Sequence, residues 1–287
     1  MPNSLHYNIK KQLTAVYKHQ VLDDIAITYK VDLNYVYISF DESLVLKADY
    51  KNIVISNRVL ALDLNPNYIG WSIVDWSAEN EFNVVKSGIY SIKELNDKDF
   101  DLKSSDSKER IYLSNKRKYE TLEIAKNIIN KAIYYKCQIV SIEDLNIKSS
   151  NKERGSKFNK LVNNLWNRNT LVNNLTKRCN IFNIKLLKVK PEYSSFIGNF
   201  LYRSLNLPDM VLASIEIGRR AYEFYNQYIN RTKEQKKNII QPDIKLFNDL
   251  IIKSLEEFNI QREQFKDLKK LYEYFKKSKM MYRLSIN

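Results

Sequence analysis

The middle of the chain alternates between short apolar runs and longer stretches in which apolar residues recur every three or four positions. Short runs bounded by turn residues are typical of strands, and the wider spacing is typical of amphipathic helices. The sequence predicts two strands over 59–64 and 68–76, joined by an Asn-Pro-Asn turn, and a third over 82–92. The elements predicted after them are, in order, a helix over 108–136, a strand over 138–145, a helix over 161–179, a strand over 184–189 and a helix from 208 to 221.

Less regular segments flank this region. Residues 1 to about 30 have the apolar spacing of a helix, and short strands are predicted over 35–40, 44–47 and 53–55. The charged stretch over 96–107 is predicted to be an exposed loop. We divide the chain into a helix-and-strand lead-in over 1–57, a main domain over 58–230 and basic C-terminal helices over 231–287.

The order of the central elements predicts how they pack. Three antiparallel strands, then helix, strand, helix, strand and helix, is the order of the ribonuclease H-like α/β fold. A helix between two strands of one sheet is a crossover that makes those strands parallel. We therefore expect a mixed five-stranded sheet flanked by helices, with the first and fourth strands side by side at its centre.

Three carboxylates occupy unusual positions in these elements. Asp63 lies in an apolar strand, Glu143 ends another, and Asp209 opens the last helix. Each alone is also explained as a turn residue or a helix cap. In the expected fold, Asp63 and Glu143 lie side by side and Asp209 can reach the same point. Because clustered carboxylates must share protons or bind cations, they suit Mg²⁺ or Mn²⁺ and a two-metal hydrolysis of phosphodiesters.

Composition narrows the class of protein. The net charge of +14 and a pI near 9.4 indicate a polyanionic partner, most simply nucleic acid, and 20 Tyr, 12 Phe and 3 Trp are available to stack on bases. The two cysteines form no Cys-x-x-Cys pair, which argues against a zinc ribbon and a disulfide scaffold and favours a reducing cytoplasm. The two histidines, His6 and His19, exclude a histidine triad in the body of the chain. No apolar run reaches the length of a membrane span, and no signal-peptide core is present.

Basic residues follow the second acidic position and the third. The first group, which we expect to contact phosphates unless it is a solvated helix face, comprises Lys148, Lys152, Arg154, Lys157, Lys160 and Arg168. Arg219 and Arg220 either contact phosphate or pair with Glu216 and Glu223 at helical spacing. The lysines between 266 and 279 alternate with apolar residues, which predicts an amphipathic helix packed on the body.

Three segments resemble the motifs of the RuvC nuclease domain, in the version of the transposon-encoded TnpB proteins and the type V CRISPR effectors. They are Ala61-Leu62-Asp63-Leu64-Asn65-Pro66-Asn67, Val140-Ser141-Ile142-Glu143-Asp144-Leu145-Asn146 and Pro208-Asp209-Met210-Val211-Leu212-Ala213-Ser214. The turn over 190–195 and the close of the third motif over 217–220 are also similar to family segments, and the resemblance covers about residues 58–226. It implies RNA-guided or otherwise nucleic-acid-directed DNA cleavage in a bacterial or phage-infected cell, with Asp63, Glu143 and Asp209 as catalytic metal ligands.

Two departures from that family matter. The stretch over 196–207 has no cysteine where family members carry a four-cysteine zinc ribbon, so no zinc is expected. The region before the first motif is reduced to roughly 57 residues, which leaves a guide RNA, a protein partner or a homo-oligomer open as the source of target recognition. Two alternatives also stay open. One is a guide-independent, structure-selective resolvase, and the other is a non-catalytic nucleic-acid-binding protein that uses the same fold.

Overall fold

The computed structural model describes residues 14, 28–39, 55–78, 81–103, 105–145, 159–229, 255–256, 258–261, 265 and 267–278. The strands are β1 (Thr28–Val31), β2 (Val36–Ser39), β3 (Ile55–Leu64), β4 (Tyr68–Ala78), β5 (Glu81–Ser91), β6 (Cys137–Glu143) and β7 (Lys185–Val189). The helices are α1 (Lys93–Asp101), α2 (Ser107–Tyr134), α3 (Arg168–Ile181), α4 (Ser194–Tyr202), α5 (Asp209–Ile229) and α6 (Leu268–Lys277). A π-helical turn over Leu161–Leu165 precedes α3, and a 3₁₀ turn over Arg203–Leu205 follows α4.

Five strands form one mixed sheet in the order β5-β4-β3-β6-β7. The pairs β5–β4 and β4–β3 are antiparallel, whereas β3–β6 and β6–β7 are parallel. The first and fourth strands of the predicted series therefore lie side by side at the centre. The predicted mixed sheet flanked by helices is confirmed, with the strand order and directions that a ribonuclease H-like arrangement requires.

The two faces of the sheet pack against different helices. Along β3 the side chains alternate, so that Leu60, Leu62 and Leu64 lie in a core with α2 and α3. Val59 and Ala61 point to the other face, where they pack with α5. The central strands are apolar on both faces because both faces are covered, which is why they read as continuous apolar runs.

A third core cluster joins the C-terminal helix to α4. Phe196, Phe200 and Phe275 pack ring against ring at centroid separations of 5.4–5.8 Å, and Leu268 and Leu271 are buried in the same cluster. The amphipathic C-terminal helix predicted to pack on the body is confirmed for α6. Within the predicted C-terminal region, 231–254, 257, 262–264, 266 and 279–287 lie outside the described residues.

The predicted exposed loop over 96–107 is wrong in its first half, because α1 extends to Asp101. Tertiary contacts hold this polar helix in place: the buried Asn96 side chain donates to the Pro66 carbonyl at 3.0 Å. Asp99 is buried and pairs with Arg117 at 3.0 Å. This segment has few apolar residues and is held as a helix by buried polar contacts. The spacing of apolar residues in the sequence does not reveal such contacts.

The described part of the lead-in agrees with its prediction in β2, which lies within the strand predicted over 35–40, and differs from it elsewhere. Residues 28–30 were expected to end a helix, but β1 and β2 form an antiparallel hairpin there. Ile55, expected in a separate lead-in strand, begins β3. The predicted helix before residue 28 and the strand over 44–47 lie outside the described residues, apart from the helical Thr14. Among the described helices, none is both long enough and apolar enough to cross a membrane.

Candidate active site

Two of the three predicted carboxylates lie at or next to the last residues of neighbouring strands at the centre of the sheet. Leu62 pairs with Ile142 in the parallel register of β3 and β6, so Asp63 and Glu143 are the next residues along the two strands. Because side chains alternate along a strand, Asp63 lies on the same face as Ala61, which is the face covered by α5. Glu143 is buried and Asp63 is half-buried. The register of β3 and β6 therefore makes Asp63 and Glu143 neighbours on one face of the sheet.

Burial and mutual repulsion act on this carboxylate pair. Burial raises the pKa of Asp63, and the charge of Glu143 raises it further, to about 8. Burial also raises the pKa of Glu143, against opposing effects from a Ser194 hydrogen bond and the positive charges of Arg220 and Arg168. Two such carboxylates at neutral pH retain a proton or take up a cation.

The third carboxylate is brought to the same end of the sheet by a close contact between α5 and β4. Gly70 of β4 is the register partner of Asp63. A Cβ at Gly70 would lie 2.4 Å from the carbonyl oxygen of Met210, so the first turn of α5 lies directly on the backbone of β4. Asp209, the residue before Met210, is exposed and begins α5 at this point. Partial burial raises the pKa of its carboxyl group.

The three carboxylates are the type of ligand that a hard divalent cation prefers. Asp63, Glu143 and Asp209 supply carboxylate oxygens at one edge of the sheet, which are the ligands that Mg²⁺ and Mn²⁺ prefer. In the part of the chain that the structure describes, no three His, Cys, Asp or Glu side chains stand close enough together to hold a metal ion. The structure thus places the predicted ligands around one edge, with Asp63 and Glu143 as neighbours, and leaves their role as ligands a prediction.

Ser194 is a site residue that the sequence analysis did not single out. Its hydroxyl donates to Glu143 Oε1 at 2.5 Å, and the side chain is buried. Tyr193 before it has a left-handed backbone with φ of 59°, which turns the chain from β7 into α4. The resemblance of the turn over 190–195 to a family segment was the one signal in the sequence that could have pointed to this contact.

The phosphate contacts predicted for Arg219 and Arg220 are not supported by the structure, which has the ion-pair alternative instead. Arg219 is fully buried, bonds Glu216 at 2.8 Å and also pairs with Glu223. Arg220 bonds Glu216 at 2.8 Å and donates to the carbonyl oxygen of Lys190 at 2.5 Å. Both guanidinium groups are held inside the fold, because a buried carboxylate on the preceding helical turn faces both of them.

The predicted basic group after β6 is described only in part, since Lys148, Lys152, Arg154 and Lys157 lie outside the described residues. The Nζ of Lys160 lies 3.2 Å from Asp99 Oδ1 and 4.8 Å from the ring centroid of Phe100. This lysine therefore fastens the start of the α3 region to α1. Its contact with nucleic acid stays a prediction.

Arg168 lies closer to the carboxylates. It opens α3, the crossover helix that starts near the end of β6, and its charge lowers the pKa of Glu143. Its side chain is half-buried, and its Nε is buried without a hydrogen-bond partner among the residues that the structure describes. This buried Nε is closed to solvent, so a contact of Arg168 with a phosphate oxygen stays a prediction.

Comparisons with known proteins give neither a matching family model nor a matching curated protein. The solved structures similar to this chain include Thermus thermophilus RuvC, at 9% identity and a TM-score of 0.35, covering 59% of this chain and 96% of that one. T. thermophilus RuvC in complex with a Holliday junction substrate has 11% identity and a TM-score of 0.34, covering 59% and 94%. The Cas12f1–sgRNA–target DNA complex has 17% identity and a TM-score of 0.38, covering 71% of this chain and 48% of that one. What the site can do therefore has to follow from its own residues.

Proposed function

We propose that this protein is a metal-dependent endonuclease that hydrolyses DNA phosphodiester bonds, with a RuvC-like site related to that of the TnpB proteins. The observation that carries the proposal is the pairing of Asp63 and Glu143 at the ends of β3 and β6. Asp209 enters from α5 at the same sheet edge, through the contact of Met210 with Gly70. The net charge of +14 supports a polyanionic substrate.

Asp63, Glu143 and Asp209 would hold Mg²⁺ or Mn²⁺. Bound there, two such ions would favour attack by water and stabilise the leaving 3′ oxygen. The residues of the chain supply orientation: Ser194 holds Oε1 of Glu143 in one direction, and Oε2 would then be the oxygen offered to a metal ion. Arg168, whose positive charge acts on Glu143, would help to neutralise a phosphate oxygen bound beside this pair.

The assay that tests this function uses labelled single-stranded and double-stranded DNA with Mg²⁺ or Mn²⁺. We expect cleavage by the wild type and its loss in Asp63→Asn and Glu143→Gln, which keep side-chain shape and remove the charge. Asp144→Asn is the matched control, because Asp144 is exposed and adjacent to Glu143 but outside the pair. Equal activity in all four proteins, or none with either metal and any co-purified RNA, would refute the proposal.

Guidance by RNA is the finer part of the proposal and rests on the resemblance to TnpB. Sequencing the nucleic acid that co-purifies with the protein tests it, since a guided enzyme should carry RNA of defined length. A guide-independent resolvase should carry none and should prefer branched DNA. A non-catalytic binding protein should keep its DNA affinity in the Asp63→Asn and Glu143→Gln variants while no cleavage product forms with any of the proteins.

A further inference from the structure

The turn between β7 and α4 leaves the sheet beside Glu143 and then returns to it. Val189, the last residue of β7, pairs with Glu143 in the parallel register of β6 and β7. Further along the chain, the buried hydroxyl group of Ser194 donates to Glu143 Oε1 at 2.5 Å. The direction in which the Glu143 carboxylate is held therefore depends on the shape of the turn over 190–193.

The backbone of this turn depends on contacts from outside it. The amide of Ser194 donates to the carbonyl oxygen of Pro191 at 3.2 Å, which is the long end of the normal range. Tyr193 has φ of 59°, in the left-handed region that residues with a Cβ seldom adopt and keep only where surrounding contacts hold them. Because Tyr193 directly precedes Ser194, a change in its backbone conformation would turn the Ser194 hydroxyl group away from Glu143.

Arg220 of α5 supplies such contacts. Its Nε donates to Glu216 Oε1 at 2.8 Å, and its two terminal nitrogens donate to the carbonyl oxygens of Lys190, at 2.5 Å, and Glu192, at 3.0 Å. Arg220 and Glu216 are both buried, so these bonds are shielded from water. The guanidinium group is planar and presents its donors in fixed directions, so one side chain ties two carbonyl groups of the turn to α5.

The helix α5 also carries the third carboxylate. It begins at Asp209, where Met210 lies on Gly70 of β4, and Arg220 follows about three turns later. The positive charge of Arg220 opposes the rise that burial causes in the pKa of Glu143, so the guanidinium group is close enough to act on that carboxylate. A single helix thus holds Asp209 at its start and is connected to Glu143 through Arg220.

We propose that Arg220 is a positioning residue for Glu143, acting through the turn over 190–193 and the hydroxyl group of Ser194. The inference rests on the proposed function, because it concerns how Glu143 is directed towards a divalent cation. It differs from a stabilising role alone, in which Arg220 would only neutralise Glu216 inside the fold. It also differs from a contact with phosphate, since this guanidinium group is buried.

The first test measures the Mn²⁺ affinity of Arg220→Lys by electron paramagnetic resonance titration. Lysine keeps the positive charge beside Glu216 but has a single nitrogen, which cannot bond Glu216 and two carbonyl groups in the directions of a guanidinium fork. We expect binding about tenfold weaker than in wild type, the usual effect of disturbing a partner of a metal ligand. Arg220→Gln, which keeps one amide donor, should show the same loss and serves where Arg220→Lys does not fold.

Arg219→Lys is the matched control. Arg219 is buried on the same helix and bonds Glu216 as Arg220 does, but its second carboxylate partner, Glu223, lies on α5 itself. We expect this variant to unfold at a lower urea concentration than wild type and to keep the wild-type Mn²⁺ affinity. Unchanged affinity in Arg220→Lys overturns the proposal, and so does an equal loss of affinity in Arg219→Lys.

A double-mutant cycle with Ser194→Ala tests the route. If Arg220 acts through Ser194, the double variant Arg220→Lys, Ser194→Ala should bind Mn²⁺ about tenfold more weakly than wild type, as each single variant does, because both changes interrupt one path. Displacement of Asp209 by a shift of α5 would instead add to the effect of Ser194→Ala and give a loss of about a hundredfold. That additive result overturns the proposal.

Hydrogen exchange of the metal-free protein separates failure of this inference from failure of the proposed function. The amide of Ile197 donates to the carbonyl oxygen of Tyr193 in the turn at 2.8 Å. We expect it to exchange about tenfold faster in Arg220→Lys than in Arg219→Lys, with the buried Ile128 of α2 as the reference for global unfolding. Faster exchange in a protein whose wild type binds no Mn²⁺ supports the hold of Arg220 on the turn and refutes the metal site. Wild-type exchange in Arg220→Lys overturns the positioning role whether or not Mn²⁺ binds.

Discussion

The hydroxyl group of Ser194 donates to Oε1 of Glu143 at 2.5 Å, across 51 residues of sequence. The turn that presents Ser194 is held from α5, because Arg220 donates to the carbonyl oxygens of Lys190 at 2.5 Å and Glu192 at 3.0 Å. The orientation of the Glu143 carboxylate is thus linked through one turn to the buried ion pairs of α5.

On the proposed function, in which Glu143 holds the metal, we expect Ser194→Ala to weaken Mn²⁺ binding about tenfold, the usual effect of removing a hydrogen-bond partner of a metal ligand. The reason is that Glu143 then loses the group that fixes one of its oxygens. Binding should be measured by electron paramagnetic resonance titration, which reports on the metal independently of cleavage. Ser194→Thr keeps the hydroxyl and should restore the wild-type affinity.

The matched control for this contact is Ser195→Ala, since Ser195 is the exposed next residue of α4. A purely structural role of Ser194 would lower the free energy of unfolding of the Ser194→Ala protein and leave its Mn²⁺ affinity equal to that of Ser195→Ala. That combination would contradict the positioning role.

Gly70→Ala should destabilise the protein, although alanine usually stabilises a strand relative to glycine. The added Cβ would lie 2.4 Å from the Met210 carbonyl oxygen, which forces α5 away from β4. We expect the free energy of unfolding to fall by about 1–3 kcal/mol, the usual cost of overpacking, and Asp209 to move from the site. Urea unfolding measures the first effect, and Mn²⁺ affinity measures the second.

Gly218→Ala is the companion variant, because a Cβ at Gly218 would meet the Ala61 Cβ at 3.3 Å. A side-chain methyl at that distance requires a small adjustment, so the loss of unfolding free energy should be smaller than in Gly70→Ala. If Gly70→Ala and Gly218→Ala lost similar amounts of unfolding free energy, the contact between Gly70 and Met210 would not be what positions Asp209.

Glu216→Gln should unfold at lower denaturant than the wild type at pH 7. Removing the carboxylate leaves Arg219 and Arg220 buried without their shared partner, which costs about 3–5 kcal/mol when a buried pair is broken. Glu223→Gln removes a half-buried partner of Arg219 and should cost less. A larger loss in Glu223→Gln would contradict the central place of Glu216.

The same carboxylate makes stability depend on pH. Burial alone would raise the pKa of Glu216, but Arg219 and Arg220 more than offset this and hold it below its ordinary value of 4.5. Its contribution is therefore complete above about pH 4.5 and is lost as pH falls through the lower, folded-state pKa. Thermal unfolding from pH 6 to pH 3 should show a steeper loss in wild type than in Glu216→Gln. Parallel curves would refute this linkage.

Asp99→Asn should detach α1 from the body. The buried Asp99 faces Arg117 at 3.0 Å, with Arg110 and Lys160 each at 3.2 Å, and the neutral amide leaves these cations uncompensated. We expect a loss of about 3 kcal/mol or more in urea unfolding. Asp97→Asn on the same helix breaks an exposed pair with Lys93 and should cost less than about 1 kcal/mol. Equal losses would show that burial of Asp99 is unimportant.

The sheet could be predicted because its information is local. A short apolar run such as the one around Asp63 indicates a strand whatever its tertiary partners are. The helical connection between β5 and β6 makes β6 parallel to β5, and therefore parallel to β3. The neighbouring positions of Asp63 and Glu143 follow from that order without knowledge of any side-chain contact.

Contacts between distant segments decided the features that the hydrophobic pattern left open or predicted wrongly. An arginine three or four residues after a glutamate has the same spacing whether the two form a buried pair or the arginine binds phosphate, so the burial of Arg219 and Arg220 had to come from the packing of α5. The helix α1 was missed because Asn96 and Asp99 are stabilised by residues 30 before and 18 after them, respectively.

By itself, therefore, the sequence determined the order and direction of the five strands, the placement of three acidic residues near one sheet edge and the basic character of the protein. The tertiary structure decided which charges are available there. It buried Arg219 and Arg220 against Glu216 and attached Ser194 to Glu143. The physical reason is that periodicity records which face of an element is buried, whereas the partner of a polar side chain depends on how those faces meet.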